Sequence, residues 1–324
     1  MKKIAVIKGS SIGDILTGIP MLRSLRKKWP DSRIYLVHNY PGSGAQLLKS
    51  SPYIDEDVII NFSASGLRNL AKIRSRKLDI VIDGFPNTFM SSVLSLLLGA
   101  PLTASYRNPK NAASSLYKVA VEMGGDAVEL EARILEKLGV KSDGKMEMPV
   151  PENCEKIKTI GIVVGINAGK DDNLCRAWND EGWVSLIKMI REKYLSTILL
   201  LGGKDNALKA QYIEREAGDV VNLVGKTGMD DLTCAINQCD VFISINGGPM
   251  HVAAALAKPQ IALNGPSLPE WNPHNSKATC MGGRQLCNTR CNDNYCHYGD
   301  MRCIKTITPG QVMKKFDAIA KKIK

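Results

Sequence analysis

The stretch Asp240-Val-Phe-Ile-Ser-Ile-Asn-Gly-Gly-Pro-Met-His251 runs from an apolar segment into a glycine-rich turn. Residues 241–245 are typical of a buried strand, and Pro249 suits the first turn of a helix, where its missing N–H had no partner. A strand that turns directly into a helix points unpaired N–H groups and the positive end of the helix dipole at one place. That place favours an anion such as a diphosphate. The same pattern also fits an ordinary strand–helix turn of any parallel sheet.

Short apolar runs alternate with helical patterns on both sides of this stretch. In the first half we predict strands over 4–7, 34–37, 58–60 and 78–82, and helices over 15–29 and 93–98. In the second half we predict strands over 160–166, 197–201, 220–223, 241–245 and 260–263, and helices over 183–193, 208–216, 229–237, 250–257 and 309–323. This alternation predicts an α/β protein with two doubly wound parallel sheets.

The length of the chain indicates two domains. At 324 residues it exceeds what one ordinary hydrophobic core supports. Residues 145–152 are polar, contain two prolines and are typical of a linker between domains. We therefore expect one domain over residues 1–150 and a second over residues 151–324.

The amino-acid composition of the chain limits the kinds of partner that we expect it to bind. The chain is 44% hydrophobic and 23% charged, with a net charge of +11. No apolar run approaches the ~20 residues that span a bilayer, and the start lacks the apolar core of a signal peptide, so we expect a cytoplasmic protein. Arg68, Lys72 and Arg76 follow a helical spacing, which fits either a phosphate-rich partner or a solvated surface. No nucleic-acid-binding pattern is present, and we expect no such partner.

The loops that follow the predicted strands are where a ligand is expected, because ligands of doubly wound sheets lie beyond the carboxyl ends of the strands. In the second half five such loops are small, polar and glycine-bearing, at 167–169, 202–205, 225–227, 246–248 and 264–267. They predict a phosphate-binding rim. The loop at Gly225-Lys-Thr227 ends like a P-loop, but Val220 stands where that motif needs glycine. Ile7 is not followed by a dinucleotide-binding glycine pattern either.

Asp14 is the candidate catalytic residue of the first half. It follows Gly9-Ser-Ser-Ile-Gly13 directly after the first predicted strand, at the start of a helix. Aspartate at such a place often only caps the helix. Alternatively it is a general base that takes a proton from a sugar hydroxyl, kept ionised by the helix N-terminus.

The residues resemble a known family. Ile7-Lys-Gly-Ser-Ser-Ile-Gly-Asp14 and the helix that ends at Pro30 resemble the opening of the family 9 glycosyltransferases, the bacterial ADP-heptose:lipopolysaccharide heptosyltransferases and their relatives. The likeness continues through Arg176-Ala-Trp178, Asn246-Gly-Gly-Pro-Met-His251 and Gly265-Pro-Ser267. It covers nearly the whole chain, although residues 40–130 match little beyond length and strand order.

The resemblance implies a GT-B fold, in which two Rossmann-like domains face a central cleft. The first domain would bind the acceptor, with Ser10, Ser11 and Gly13 at the site, and the second would bind a nucleotide sugar. The implied donor-binding residues are Asn167, Ala168, Gly169, Gly203, Asp205, Asn246, Gly247, Gly248, Pro249, Met250 and His251. The family inverts the anomeric centre without a catalytic metal or other cofactor. Its base corresponds to Asp14, and Arg176 would neutralise the leaving diphosphate.

Three positions depart from the family pattern. Arg176 stands where relatives often have Lys, which keeps the charge and offers two donors to one phosphate. Asn246 stands where many have Asp, and Gly247 where they often have Thr. Asparagine can accept and donate hydrogen bonds but carries no charge, so the donor sugar is left open. His251 either contacts the diphosphate or is hydrogen-bonded locally on its helix.

Four of the nine cysteines cluster at Cys287, Cys291, Cys296 and Cys303. In a reducing cytosol such clusters more often bind metal than form disulfides, and four thiolates can surround Zn or Fe. Some family 9 members resemble this element, and a branch that glycosylates autotransporter proteins holds iron in a cysteine finger. We expect a structural metal here rather than a catalytic one. The other cysteines, at 154, 175, 234, 239 and 280, are interpreted as core or surface thiols.

The leading interpretation is an inverting transferase that moves heptose from ADP-heptose to the phosphorylated inner core of lipopolysaccharide. Residues 1–150 carry 21 basic and 14 acidic residues, and this basic first half suits such an acceptor and a peripheral, electrostatic contact with the inner membrane. One alternative keeps the fold but acts on a protein such as an autotransporter, on another surface glycan, or with another nucleotide sugar. Another is a nonenzymatic metal or redox module on a nucleotide-binding scaffold.

Overall fold

The computed structural model describes residues 1–38, 44, 51–85, 89–109, 111–148, 150–152, 154, 160–165, 176–267, 269–287, 296 and 298–323. The chain divides into two compact units, Met1–Glu147 and Met148–Lys324. The division falls inside the segment that the sequence suggests as a linker. None of the helices in the described ranges is long and apolar enough to cross a lipid bilayer.

The first unit is a parallel sheet wrapped by helices. Its strands are β1 (Lys3–Ile7), β2 (Arg33–His38), β3 (Glu56–Ile59), β4 (Ile80–Asp83), β5 (Leu102–Arg107) and β6 (Val119–Glu122). Its helices are α1 (Ile12–Lys28), α2 (Ala64–Ser75), α3 (Phe89–Leu97) and α4 (Ala127–Lys137). The strand order is β3-β2-β1-β4-β5-β6, and every adjacent pair is parallel. The order reverses between β1 and β4, which is where ligands of such sheets bind.

The second unit repeats this plan. Its strands are β7 (Ile160–Gly165), β8 (Ser196–Leu201), β9 (Val221–Asn222), β10 (Val241–Ile245), β11 (Gln260–Leu263) and β12 (Ala278–Met281). Its helices are α5 (Asp180–Lys193), α6 (Ala207–Ala217), α7 (Met229–Gln238), α8 (Gly248–Ala255), α9 (Arg302–Lys305) and α10 (Pro309–Ile323). The order is β12-β11-β10-β7-β8-β9, again parallel throughout, with the switch between β7 and β10. The prediction of two doubly wound parallel sheets is confirmed.

Local chemistry accounts for the helix that carries Asp14. Ser11 is the N-cap of α1, and its hydroxyl accepts a hydrogen bond from the backbone N–H of Asp14 at 3.3 Å. Arg26, Lys27 and Lys28 complete the last turn, where positive charge complements the helix dipole. Twelve of its residues are buried, so α1 packs into the unit on more than one face. It begins at Ile12, three residues before the predicted start.

Several elements lie outside the sequence prediction. Strands β5, β6 and β12 and helix α4 were not expected, and the predicted strand over 220–223 is only the two-residue edge strand β9. The α4 helix nevertheless begins with a capping box, since Asp126 accepts from the Glu129 N–H and the Glu129 side chain accepts from the Asp126 N–H.

One cysteine prediction is wrong. Cys154 and Cys234 are joined by a disulfide, with their Cα atoms 5.2 Å apart, and are not free thiols. They lie 80 residues apart in the sequence, and the fold places the start of the second unit beside α7. Sequence spacing carried no sign of this pairing. Cys239 and Cys280 are free, as expected, and Cys175 lies outside the described residues.

Candidate active site

The Asp14 carboxylate lies at the carboxyl end of β1, beside the switch point of the first sheet. The side chain is 6% exposed. Its Oδ2 accepts a hydrogen bond from the Ser11 hydroxyl at 2.7 Å and a longer one from the Ser11 N–H at 3.3 Å. Asp14 is therefore both a capping residue and a buried carboxylate at the place expected for a general base.

Electrostatics around Asp14 pull in two directions. Burial raises the pKa of Asp14 because it disfavours the charged form. The Ser11 hydrogen bonds and the positive charges of Lys8 and His38 oppose that rise. A raised pKa makes this carboxylate a better proton acceptor than an exposed aspartate, which is what a general base needs.

The sequence analysis missed a buried ion pair in the first unit, between Lys8 and Glu131. Lys8, 3% exposed, forms an ion pair with Glu131 of α4, which is also 3% exposed, and its Nζ lies 3.3 Å from the Thr17 hydroxyl. Burial raises the pKa of Glu131 to about 7, an effect that the Lys8 charge opposes. The only sequence sign is Lys8 itself, a charged residue placed directly after a buried strand.

A second buried carboxyl group follows β4. Asp83 is fully buried and accepts hydrogen bonds from the Tyr117 hydroxyl, the Ser95 hydroxyl at 3.0 Å and the Phe85 N–H at 2.9 Å. Burial raises the pKa of Asp83, and these hydrogen bonds and the Lys8 charge oppose the rise. The switch point of the first unit thus combines one lysine with three buried carboxyl groups.

The three residues that the resemblance places at the acceptor lie in the same turn. Ser10 is fully buried, and its hydroxyl has no hydrogen-bond partner in the described part of the chain. Ser11 is exposed but occupied as the cap of α1, and Gly13 is buried inside that helix. Ser10 therefore offers an uncommitted buried hydroxyl, and their role in acceptor binding stays a prediction.

The turn after β10 has the geometry expected of an anion site. Gly247 is the N-cap of α8 in an extended conformation, with no side-chain cap, and Pro249 lies in the first turn. Pro249, Met250 and His251 are buried on this helix. No side chain caps the helix, but Pro249 has no N–H and the Met250 N–H donates to the Gly247 carbonyl at 3.1 Å. The Gly248 N–H and the positive end of the helix dipole are what this turn offers to oxygen atoms of a diphosphate.

Asn246 has a structural task at this turn. Its Nδ2 donates to the backbone carbonyl of Trp271 at 2.9 Å, and the residue is 7% exposed. An ionised aspartate has no N–H to offer that carbonyl. The bond therefore gives the Asn246 amide a structural role that aspartate would not fill.

Two further predicted donor residues lie in the loop after β8. Asp205 is exposed, and its carboxylate lies so close to Gly203 that a Cβ on Gly203 would collide with Asp205 Oδ1. The two residues are therefore in contact in the loop that follows β8. Asn167, Ala168 and Gly169 lie outside the described residues.

Arg176 lies two residues before a buried tryptophan, Trp178. The Trp178 indole donates from Nε1 to the Ile307 carbonyl at 2.9 Å and stacks edge-on against Trp183, with ring centroids 4.8 Å apart. Trp178 is 1% exposed, whereas Arg176 is partly exposed. The chain two residues after Arg176 is therefore anchored in the core of the second unit.

The predicted cysteine cluster is only partly described. Cys303 is buried, Cys287 and Cys296 are half-buried, and Cys291 lies outside the described residues. The sulfurs of the three described cysteines do not all lie within 4.8 Å of one another. The Cys296 Sγ accepts from the Met301 N–H at 3.3 Å, and the N–H groups of Tyr298, Gly299 and Asp300 also stabilise its thiolate. Such N–H groups are a common surrounding of metal-bound sulfur.

The basic stripe on α2 is partly neutralised. Arg76 and Lys72 form ion pairs with Glu56, at 3.1 and 3.4 Å. Arg76 also lies over the Tyr35 ring, 5.2 Å from its centroid. Two of the three basic residues in the predicted stripe, Lys72 and Arg76, are therefore paired with an acidic residue of the same unit.

The comparison with family models covers most of the chain. Residues 67–301 match the model described as "Glycosyltransferase family 9 (heptosyltransferase)". The chain belongs to glycosyltransferase family 9. This membership confirms the resemblance and the interpretation as a glycosyltransferase, over that of a nonenzymatic metal or redox module.

Relatives match over most of their length. The chain is 23% identical to lipopolysaccharide heptosyltransferase 2 of Escherichia coli K12 over 300 residues, which is 84% of this chain and 85% of that protein. It is 21% identical to lipooligosaccharide heptosyltransferase 2 of Campylobacter jejuni over 328 residues, 97% of each protein.

Solved structures share the fold. A family 9 glycosyl transferase from Veillonella parvula has a TM-score of 0.78 at 23% identity, covering 99% of this chain and 98% of that one. The ADP-heptose heptosyltransferase II of E. coli has a TM-score of 0.72 at 21% identity and covers 99% of both chains. The iron-containing dodecameric glycosyltransferase TibC of E. coli has a TM-score of 0.56 at 13% identity, covering 100% of this chain and 77% of that one. The chain has the GT-B fold of this family.

Proposed function

We propose that this protein is an inverting heptosyltransferase that moves heptose from ADP-heptose to the inner core of lipopolysaccharide. The observation that carries the proposal is the buried Asp14 carboxylate at the switch point of the first sheet. The named activities of the relatives and the uncapped N-terminus of α8 support the choice of donor.

The two units divide the work in this proposal. We assign acceptor binding beside Asp14 to a first domain over residues 1–150, and nucleotide-sugar binding to a second domain over residues 151–324. Asp14 accepts the proton of the acceptor hydroxyl while the hydroxyl oxygen attacks the anomeric carbon. The bond from that carbon to the diphosphate oxygen breaks, and ADP leaves with the electron pair. The positive end of the α8 dipole and the Arg176 guanidinium stabilise the charge on ADP.

The experiment measures ADP release from ADP-heptose with lipopolysaccharide that lacks inner-core heptose. Wild-type protein is expected to turn over only when both substrates are present. The Asp14→Asn variant keeps an oxygen for the Ser11 hydroxyl but cannot accept the proton, and we expect turnover to fall about 10²–10⁴-fold. Undiminished turnover would remove Asp14 as the base.

The donor is tested separately by thermal unfolding with ADP-, UDP-, GDP- and CDP-sugars. A ligand at 100 times its Kd adds about 2.7 kcal/mol to the free energy of unfolding, which the assay resolves easily. We expect ADP-heptose to give the largest shift. A larger shift with another nucleotide would replace the proposed donor, which the neutral Asn246 leaves room for.

A second candidate function is transfer to a protein, such as an autotransporter, or to another surface glycan. The observation that favours it is the cysteine-rich segment ending at Cys303, together with the likeness of the fold to the iron-containing TibC. Incubation with ADP-heptose and each acceptor class distinguishes the two, because only the true acceptor gains the mass of the sugar.

We further propose a structural Zn or Fe ion bound by Cys287, Cys291, Cys296 and Cys303. The N–H groups around the Cys296 sulfur and the soft thiolate donors fit such an ion, which would hold this segment together and take no part in transfer. Elemental analysis of protein purified without chelators tests this. Absence of both metals would exclude the ion.

Contact with the cytoplasmic face of the inner membrane is the last part of the proposal. The net charge of +11 supports a peripheral, electrostatic attachment. The protein should sediment with vesicles of anionic phospholipid at low salt and be released at high salt. Attachment that resists salt would contradict an electrostatic contact.

A further inference from the structure

Two glycines, Gly18 and Gly84, line the space that the Lys8 side chain occupies. An ideal Cβ on Gly18 of α1 or on Gly84 after β4 would lie 3.1 Å from a carbon of the Lys8 chain, closer than ordinary packing allows. Both glycines thus leave space for the lysine to reach inward from β1 to Glu131 on α4. The side chain is enclosed over its length and ends in a single ion pair.

This pair is connected to Asp14 through the turn at Gly9 and through Thr17. Lys8 precedes Gly9, and the Asp14 carboxylate lies against Gly9. The Lys8 ammonium also lies 3.3 Å from the Thr17 hydroxyl, which in turn donates to the Asp14 carbonyl at 3.0 Å. Two positively charged groups attract the Asp14 carboxylate: Lys8, directly after β1, and His38, at the end of β2. The Glu131 carboxylate on α4 repels it.

A contribution to the stability of the fold does not explain why Lys8 and Glu131 form a buried ion pair. Replacing a buried ion pair by apolar residues of similar volume is often neutral or stabilising, because desolvation offsets the attraction between the charges. Two glycines make room for this pair next to the proposed base. We therefore look for its role in an effect on the charge of Asp14.

We propose that Lys8 and Glu131 act on the reaction through Asp14, as positioning residues that set the charge behind its carboxylate. Lys8 keeps Asp14 ionised in spite of its burial. Glu131 balances Lys8, so that the carboxylate still binds a proton well enough to act as a base. This inference rests on the proposed function only for the role of Asp14 in transfer.

The two partners predict opposite effects. In Glu131→Gln the lysine charge is balanced at no pH, whereas in the wild-type protein the ionised fraction of Glu131 balances it, so Asp14 of the variant stays ionised to lower pH. In Lys8→Met the attraction is lost, so Asp14 binds its proton at higher pH. We expect the midpoint of Asp14 ionisation to move down in the first variant and up in the second, each by about one pH unit. A purely structural pair would move neither.

The test is a titration followed by NMR of protein with ¹³C-labelled Asp and Glu carboxyl groups, with Asp14→Asn used to assign the signal. It needs no substrate, so its result is independent of the proposed function. In parallel, kcat/KM for acceptor-dependent ADP release is measured as a function of pH. The pH at which kcat/KM falls on the acidic side should shift in the same direction as the Asp14 midpoint. Absence of ADP release by wild-type protein would refute the proposed function and leave the titration to decide the pair.

Two further variants keep the test decisive. The double variant Lys8→Met/Glu131→Gln buries no unpaired charge and is the one to use if the single variants do not fold. Lys8 acts on Asp14 more strongly than Glu131 does, so the Asp14 midpoint of the double variant should still move up. Lys209→Met removes a lysine paired with Asp180 in the other unit, at 2.9 Å, and should move nothing. Shifts in the same direction in both single variants, or an unmoved midpoint in the folded double variant, would overturn the proposal.

Discussion

The carboxylate of Asp14 lies against the backbone of Gly9, where no other residue could stand without moving it. An ideal Cβ on Gly9 would lie 2.5 Å from Asp14 Cγ and closer still to Oδ2. With Ser11 fixing the other side of the same oxygen through a 2.7 Å hydrogen bond, the carboxylate is held between the turn and the helix cap. Gly9 therefore sets the position of the proposed base.

This contact predicts the effect of Gly9→Ala. The added methyl group should displace the carboxylate, and a displacement of about 1 Å at a reacting group can reduce the rate about 10²-fold. Gly310→Ala is the matched control, because a Cβ there meets nothing within 4 Å. ADP release and circular dichroism of both variants check the prediction. Equal turnover in the two variants would mean that the position of Asp14 does not matter.

The ionisation of Glu131 predicts a pH-dependent stability. Burial raises its pKa from 4.5 to about 7, so between these pH values the folded protein holds a proton that the unfolded chain has lost. The free energy of unfolding should therefore fall as pH rises through this interval, by about 3 kcal/mol from this group, and change no further above it.

Glu131→Gln isolates this contribution, since glutamine does not titrate. The difference in free energy of unfolding between wild type and variant, measured with urea at several pH values, should change across pH 4.5–7 in favour of the variant. A difference that is constant with pH would show that Glu131 ionises as it does in the unfolded chain.

Much of the site was predictable from local chemistry. The strand–turn–helix at Asn246–His251 and the capping position of Asp14 depend on residues next to one another in the sequence, and glycine, proline and serine at such places have few other uses. Alternation of apolar runs likewise predicted both sheets, because buried parallel strands need continuous apolar segments.

The unpredicted features join residues far apart in the sequence. Lys8 and Glu131 are 123 residues apart, and nothing near Glu131 distinguishes it from a solvated helix residue. Cys154 and Cys234 likewise gave no sign of pairing. Helix propensity and hydrophobic patterning are local properties, whereas these partners are chosen by the packing of α4 and α7.

The Cys154–Cys234 disulfide predicts a dependence on reductant. A cross-link that closes a long loop typically adds about 2–4 kcal/mol to the free energy of unfolding. Cys234→Ser should lose this stabilisation, as should wild-type protein in dithiothreitol, and the variant should no longer respond to the reductant. Cys280→Ser, which removes a free thiol, is the control and should match wild type. An equal response to dithiothreitol in all three proteins would exclude the disulfide as a source of stability.

The bond from Asn246 to Trp271 predicts the effect of replacing Asn246 by aspartate, the residue that the resemblance implies for many family members. Asn246→Asp replaces a 2.9 Å hydrogen bond by two oxygens facing each other, and leaving a partly buried carbonyl without its donor costs about 1–3 kcal/mol. Asn275→Asp is the matched control, since its Nδ2 donates to the Lys258 carbonyl at 2.8 Å in the same way. Thermal unfolding should show both variants destabilised, whereas calorimetry with ADP should show weaker binding for Asn246→Asp alone, because only that residue adjoins the N-terminus of α8. Unchanged stability of Asn246→Asp would mean that asparagine at this position serves the donor sugar rather than the loop at Trp271.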